Sequence, residues 1–184
     1  MQKKENLGFV QIFWGNGKGK TTSALGTALR ACGSGYKVML VQFMKNGAGD
    51  SNYPEIDLPG EILALNNIEG FSVKRFGSGK WVVGKPTKEN IEKVEDALNF
   101  VRSCFDNYDI IIADEILYAV QLGLLEENKI INLIKNKPLR KELILTGSHK
   151  AFPKIFEIAD LVTEVKKIKH PYDSGFLARK GIEY

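Results

Sequence analysis

The chain predicts an α/β protein built on a mostly parallel sheet, and three observations carry that prediction. Strand-like apolar runs alternate with helical patterns almost from end to end of its 184 residues. The second of those runs, Lys37 to Phe43, is apolar on both faces for most of its length, as a central parallel strand should be. A glycine-rich turn follows the first run and opens an amphipathic helix, the connection at which α/β sheets bind anions.

Taken in order, the first strand is Phe9 to Trp14. The helix after the glycine turn carries Ala24, Leu25, Ala28, Leu29 and Cys32 on one stripe and stops at Gly33-Ser34-Gly35. The second strand follows. Residues 45 to 70, with Asn46-Gly47-Ala48-Gly49 and Asp57-Leu58-Pro59-Gly60, have loop composition, and a loop of that length in a compact domain is usually functional or mobile. A third strand, Phe71 to Phe76, precedes a second irregular stretch, Gly77 to Pro86. The helix from about Thr87 to Phe105 has Ile91, Val94, Leu98, Val101 and Phe105 on one stripe. A strand at Asp109 to Asp114, a helical stretch to about Lys137, a strand at Glu142 to Thr146, a helix near Ala151 to Ala159 and a strand at Leu161 to Val165 complete the pattern. Lys166 to Tyr184 reads as an irregular basic tail. No repeat, linker or domain boundary interrupts the chain, so residues 1–184 read as one nucleotide-binding domain.

Composition narrows the function classes. A hydrophobic content of 43% with 26% charged residues is that of a soluble globular protein. No apolar run approaches the ~20 residues of a membrane-spanning helix. Met1 to Asn6 is polar, unlike a signal peptide. Cys32 and Cys104 lie in helix-like apolar patterns and read as reduced, buried thiols, so the expected compartment is the cytoplasm. The net charge of +4 is mild, and no basic–aromatic stripe suggests nucleic acid. Lys166, Lys167, Lys169, His170, Arg179 and Lys180 form one local excess: either a solvated face or a contact for an anionic or amide-rich ligand.

The chemistry concentrates in two motifs. In Gly15-Asn16-Gly17-Lys18-Gly19-Lys20-Thr21-Thr22 the glycines let the backbone curl so that successive N–H groups face phosphate oxygens, and the helix N-terminus adds about half a positive charge. Lys20 would reach the terminal phosphates of a triphosphate and the Thr21 hydroxyl would ligate magnesium. The usual G-x-x-x-x-G-K-[ST] spacing would put its first glycine at Trp14, so this loop is one residue shorter and the nucleotide's orientation in it stays open. The second motif is Tyr108 to Glu115, an apolar strand ending in two carboxylates at the C-terminal sheet edge. Asp114 would hold magnesium directly or through water, and Glu115 would polarise a water or bind a polar group of the substrate.

These motifs specify a phosphate site rather than a reaction. The short loop, Val41-Gln42-Phe43-Met44-Lys45, Asp114-Glu115-Ile116 with Gly123-Leu124-Leu125, Leu145-Thr146-Gly147, Ala159 to Glu164, and the ending Lys169-His170-Pro171-Tyr172-Asp173-Ser174-Gly175 with Gly181-Ile182-Glu183-Tyr184 occur in one order from about residue 8 to 184. Together they resemble the P-loop ATP:corrinoid adenosyltransferases. The resemblance implies a three-layer RecA-like fold and a homodimer. The reaction it implies is transfer of the 5′-deoxyadenosyl group of ATP to cobalt(I) of a reduced corrinoid, with release of triphosphate. It implies magnesium, an electron donor protein or flavin that supplies cobalt(I), and a nucleotide lying in the loop in the reverse of the usual sense. Residue by residue, it assigns Arg30 to ATP, Glu115 to the neighbourhood of metal and corrinoid, and His170 to the corrinoid. Lys20 and Glu115 are then the catalytic candidates, and Thr21, Asp114 and Glu115 the metal ligands. His149 gains no such role and is expected at the surface.

Two departures stand out. Many members read Thr-Gly-Arg after the fifth strand, where this chain has Thr146-Gly147-Ser148; Lys150 is the cation available to substitute, although lysine and arginine are not equivalent. Better-known members carry two aromatics that press on the corrinoid and displace cobalt's lower ligand, where this chain has Trp81 followed by aliphatic residues. Two rival readings remain at this level. A P-loop kinase usually brings lid arginines over the phosphate, and residues 45 to 74 contain none. A nucleic-acid-binding module would rest on the basic tail alone.

Overall fold

A computed structural model describes residues 7–45, 59–77 and 85–182. The elements run β1 (Val10–Trp14), α1 (Lys20–Gly33), β2 (Val38–Phe43), α2 (Gly60–Leu65), β3 (Phe71–Phe76), α3 (Lys88–Cys104), β4 (Ile110–Asp114), α4 (Ile116–Gln121), α5 (Glu127–Lys135), β5 (Glu142–Thr146), α6 (Pro153–Glu157) and β6 (Leu161–Glu164). The six strands form one sheet in the order β3-β2-β4-β5-β1-β6, with every pair parallel. One strand, β5, therefore separates the strand that leads into the glycine loop from the strand that ends in the two acids.

β2, β4 and β5 are buried along their whole length, which explains their near-continuous apolar runs. Their residues alternate between two cores. Met39, Val41, Phe43, Ile111, Ala113, Leu143 and Leu145 pack with α3, α4 and α5 on one face. Val38, Leu40, Ile110, Ile112 and Ile144 pack with α1 and α2 on the other. This is the expected three-layer arrangement. At the C-terminal ends of the strands the second face turns from apolar to polar: Gln42, Asp114 and Thr146 continue the rows begun by Leu40, Ile112 and Ile144, and all three are fully buried.

α3 is a well-capped amphipathic helix. The Thr87 hydroxyl accepts from Asn90 N–H while the Asn90 side chain accepts from Thr87 N–H, and Val94, Ala97, Leu98, Val101 and Cys104 face the core. Three details differ from the sequence reading. The stretch 45–70 contains a short helix, α2, which sends Ile62 and Leu65 into the core behind Pro59. The helical stretch to Lys137 divides into α4 and α5, because Gly123 takes φ 72° and turns the chain. The basic tail holds one 3₁₀ turn, Pro171–Ser174. Cys32 and Cys104 are buried free thiols in the cores on opposite faces of the sheet. Among the described residues no helix is long and apolar enough to cross a membrane.

Candidate active site

The phosphate loop leaves β1 and enters α1 through Gly19 at φ 119°, a conformation open to glycine. Its earlier glycines answer a second demand. A Cβ on Gly15 would lie 2.5 Å from the Val165 carbonyl oxygen, and one on Gly17 would lie 2.8 Å from both that oxygen and Lys166 C. Gly15 N–H donates to Ser148 O (2.9 Å) and Gly17 N–H to Val165 O (2.7 Å). The loop's first half is thus fixed to the chain after β5 and β6. The second half offers donors: the first bond of α1 joins Ser23 N–H to Gly19 O, so the N–H groups of Lys20, Thr21 and Thr22 precede it at the positive end of the helix, an arrangement suited to an anion. Asn16 Oδ1 accepts from Lys167 N–H (2.9 Å) and Lys18 Nζ donates to Ile182 O (2.9 Å), so both side chains tie the loop to the basic tail.

Lys20 folds over the loop and donates to Gly15 O (2.8 Å) and Gly17 O (2.9 Å). Burial lowers its pKa, against the pull of Glu115 and Asp114, which an arriving triphosphate would reinforce.

Asp114 is the best-supported side chain of the site. Its Oδ1 accepts from Thr21 Oγ1 (2.8 Å) and Thr146 Oγ1 (2.7 Å), and its Oδ2 from Gln42 Nε2 (3.0 Å) and Lys45 Nζ (3.1 Å). Burial alone would raise its pKa. The Lys45 charge and the hydroxyls of Thr146 and Thr21 outweigh that and hold it below the usual carboxylate range. Glu115 goes the other way: burial and the Asp114 charge raise it, despite Lys45 at 3.8 Å and Lys20. The two neighbouring acids are thus inequivalent, Asp114 favouring the anion more than Glu115 does.

Lys45 is the residue the sequence reading missed. Loss of water would lower its pKa, but Asp114 and Glu115 raise it, so the ammonium is firmly charged. Its position depends on Met44 at φ 59° and on Gly77, where a Cβ would lie 2.7 Å from Met44 C. Only two other non-glycine residues among those described have positive φ: Glu115 (65°), directly after β4, and Ser148 (68°), two residues after β5. Such conformations are costly for side chains other than glycine, and all three lie just past the C-terminal ends of central strands.

No set of three His, Cys, Asp or Glu side chains suited to a metal occurs among the described residues, so the protein has no all-protein cage there. A hydroxyl and a carboxylate oxygen 2.8 Å apart at the phosphate loop do fit magnesium, a hard ion that keeps waters and takes substrate phosphates as its other ligands.

The remaining candidates lie farther out. Arg30 is exposed in the last turn of α1, about 15 Å along the helix from Lys20, and the structure does not bring it to the cradle. His170 precedes the 3₁₀ turn and its Nδ1 accepts from Tyr172 N–H (3.1 Å), which in the neutral ring puts the proton on Nε2. His149 is exposed, as expected, yet its ring lies 5.5 Å from that of Tyr118, and burial followed by the Lys20 charge lowers its pKa. Ser148, the position at which the family resemblance leads one to expect arginine, is fully buried; its Oγ donates to Lys150 O (2.6 Å) and accepts from Lys150 N–H (2.8 Å). Trp81 lies outside the described residues.

A glycine loop on a helix N-terminus, facing a strand-end carboxylate across a parallel sheet, defines a P-loop nucleotide-binding protein. The family is narrower than that class. Residues 6–184 match the description "ATP:corrinoid adenosyltransferase BtuR/CobO/CobP", and the chain belongs to that family. The corrinoid adenosyltransferase of Escherichia coli (strain K12) is 32% identical over 186 residues, spanning 100% of this chain and 89% of that protein. Its counterpart in Pseudomonas aeruginosa is 31% identical over 185 residues, spanning 100% and 87%. Among solved structures, ATPases 2 and 3 of EssC from Geobacillus thermodenitrificans superpose with a TM-score of 0.52 at 13% identity, over 95% of this chain and 35% of that one, a likeness of fold alone.

Proposed function

We propose that the chain transfers the 5′-deoxyadenosyl group of ATP to the cobalt(I) of a reduced corrinoid and releases triphosphate. The observation that carries the reading is the joining of Thr21 and Asp114 at the mouth of the phosphate loop, in a chain of this family. Cobalt(I) attacks the 5′ carbon with its own electron pair, the C5′–O bond breaks, and that pair leaves on the triphosphate while cobalt rises to the alkylated +3 state. Such a nucleophile needs no base to deprotonate it. The protein's tasks are to hold the carbon in line and to stabilise the charge gathering on the leaving group. Lys20 and the N–H groups of Lys20, Thr21 and Thr22 serve the second task. Thr21 and Asp114 would hold magnesium, which when bound neutralises triphosphate oxygens. Glu115, beside both the metal ligands and the open edge of the sheet, faces the incoming corrinoid. Gly15 to Thr22 form the proposed ATP site, and His170 and Trp81 the proposed corrinoid contacts; Arg30 stands apart from that cradle in this chain. A second copy of the chain, an electron donor protein or flavin, and a cytoplasmic location belong to the same proposal.

The test is direct. Protein, ATP, magnesium and chemically reduced corrinoid should yield a light-sensitive adenosyl–cobalt product and one triphosphate for each product formed. ADP as the phosphorus product would mean a kinase or ATPase instead.

A further inference from the structure

We infer that Lys45 is a built-in counter-ion of the acidic pair and competes with the divalent cation for it, so that the site takes its metal together with nucleotide rather than alone. The inference rests on the metal ligands proposed above. Three observations point to it. The ammonium lies 3.1 Å from Asp114 Oδ2 and 3.8 Å from Glu115 Oε1, between the two carboxylates. Both Asp114 oxygens are already saturated, Oδ1 by two hydroxyls and Oδ2 by Gln42 and Lys45, so a metal reaching this carboxylate must displace a donor. The donors are not equally displaceable. Thr21 is itself a proposed metal ligand and need only turn its hydroxyl proton away from Oδ1, so it stays beside the ion. Gln42 is fully buried at the end of β2, and Thr146 is fully buried at the end of β5, where its oxygen also receives Glu115 N–H (3.0 Å). Lys45 is the long, unbranched exception, with about a third of its side chain exposed, so it can swing aside without disturbing the sheet.

The backbone shows that the placement is built rather than incidental. Lys45 reaches back over the end of β4 because Met44 turns at φ 59°, and that turn fits because β3 is followed by Gly77, whose missing side chain lets Met44 and Lys45 approach. Once the ion has taken Asp114, the ammonium is left at the mouth of the phosphate loop, where the triphosphate supplies its next partner. The ammonium thus has an anionic partner in both states: the acidic pair before the metal and nucleotide enter, and the triphosphate afterwards.

Mn²⁺ binding to the nucleotide-free protein, read by loss of the free-ion electron paramagnetic resonance signal, tests this without any turnover. Lys45→Met should bind Mn²⁺ at least about tenfold tighter than wild type, the effect of removing one competing charge, while Lys45→Arg should stay within about threefold of wild type. Equal or weaker Mn²⁺ binding by a folded Lys45→Met overturns the inference. A second measurement needs no variant: amine acylation followed by peptide mass spectrometry should find Lys45 labelled faster at a Mn²⁺ concentration that the resonance titration shows to fill the nucleotide-free wild-type site, and an unchanged rate there counts equally against it. Asp114→Asn separates the two levels. If it leaves Mn²⁺ binding intact, with or without ATP, the metal ligands themselves are wrong. If it abolishes binding while Lys45→Met matches wild type, the metal ligands stand and only the role of Lys45 falls.

Discussion

The two ends of the sheet use the same residue types for opposite purposes. At the N-terminal edge, Glu142 accepts from Gly8 N–H, Phe9 N–H and Gln11 Nε2 at 2.7–3.0 Å, Asp109 accepts from Lys37 N–H at 3.0 Å, and Asp160 accepts from Val10 N–H at 2.7 Å. Lys141 Nζ donates there to Tyr108 O and Lys137 Nζ to Lys141 O. Nearly all these partners are backbone groups at strand starts, which cannot leave without unpairing the sheet. At the C-terminal edge the Asp114 carboxylate is held by four side chains and, among the described residues, by no backbone group. Side chains can exchange partners when a ligand arrives; backbone groups in a ladder cannot. The difference between a structural and a functional carboxylate here lies in what holds it.

That contrast can be broken or sharpened by substitution. Lys20→Ala should have the largest effect, a loss of about 10³-fold in transfer rate with an unchanged circular dichroism spectrum, since it removes the side-chain cation that folds back over the loop. Near wild-type turnover by the folded variant would show that the cradle is elsewhere. Asp114→Asn should cost about 10–100-fold and shift the magnesium titration to higher concentration, leaving affinity for free corrinoid intact; a superposable magnesium curve would contradict its role. Glu142→Ala carries the comparison to the other edge. It should lower unfolding free energy by about 2–4 kcal/mol in urea, because the N–H groups of Gly8 and Phe9 lose their acceptor, while the transfer rate of the folded fraction holds. A drop in rate without a drop in stability would refute the division of labour between the edges. Thr87→Ala, remote from both edges, should cost only about 1 kcal/mol by removing the cap of α3, and calorimetry should show no change in ATP affinity.

Much of this was legible in the sequence because it is local. The glycine loop, the acid pair and the alternation of strand and helix are each written within a dozen residues, and the structure moves their boundaries by only one or two positions. What escaped is non-local. Lys45 reads as the start of a loop; its meaning comes from a turn at Met44 and from Asp114, 69 residues away. α2 is six residues long and lies beside loop-coloured sequence, so only the burial of Ile62 and Leu65 reveals it. Gly15 and Gly17 read as phosphate-binding glycines, and the structure adds a second, non-local demand for glycine there: the backbone of Val165 and Lys166 presses on them.

The last of these contacts bears on how the protein is made. β1 is translated first, yet both of its neighbours, β5 and β6, come from the far part of the chain, and the phosphate loop rests on Ser148, Val165 and, through Lys18, Ile182. Contacts of such sequence separation form late and slowly. During synthesis the N-terminal motif that reads as the protein's signature is thus expected to be completed late, once the chain that supplies β5, β6 and Val165 has emerged. A length series of stalled nascent chains, probed by photo-crosslinking to ATP, should show capture only after Val165 has cleared the exit tunnel; capture by chains ending before β5 would show that the loop can close unaided.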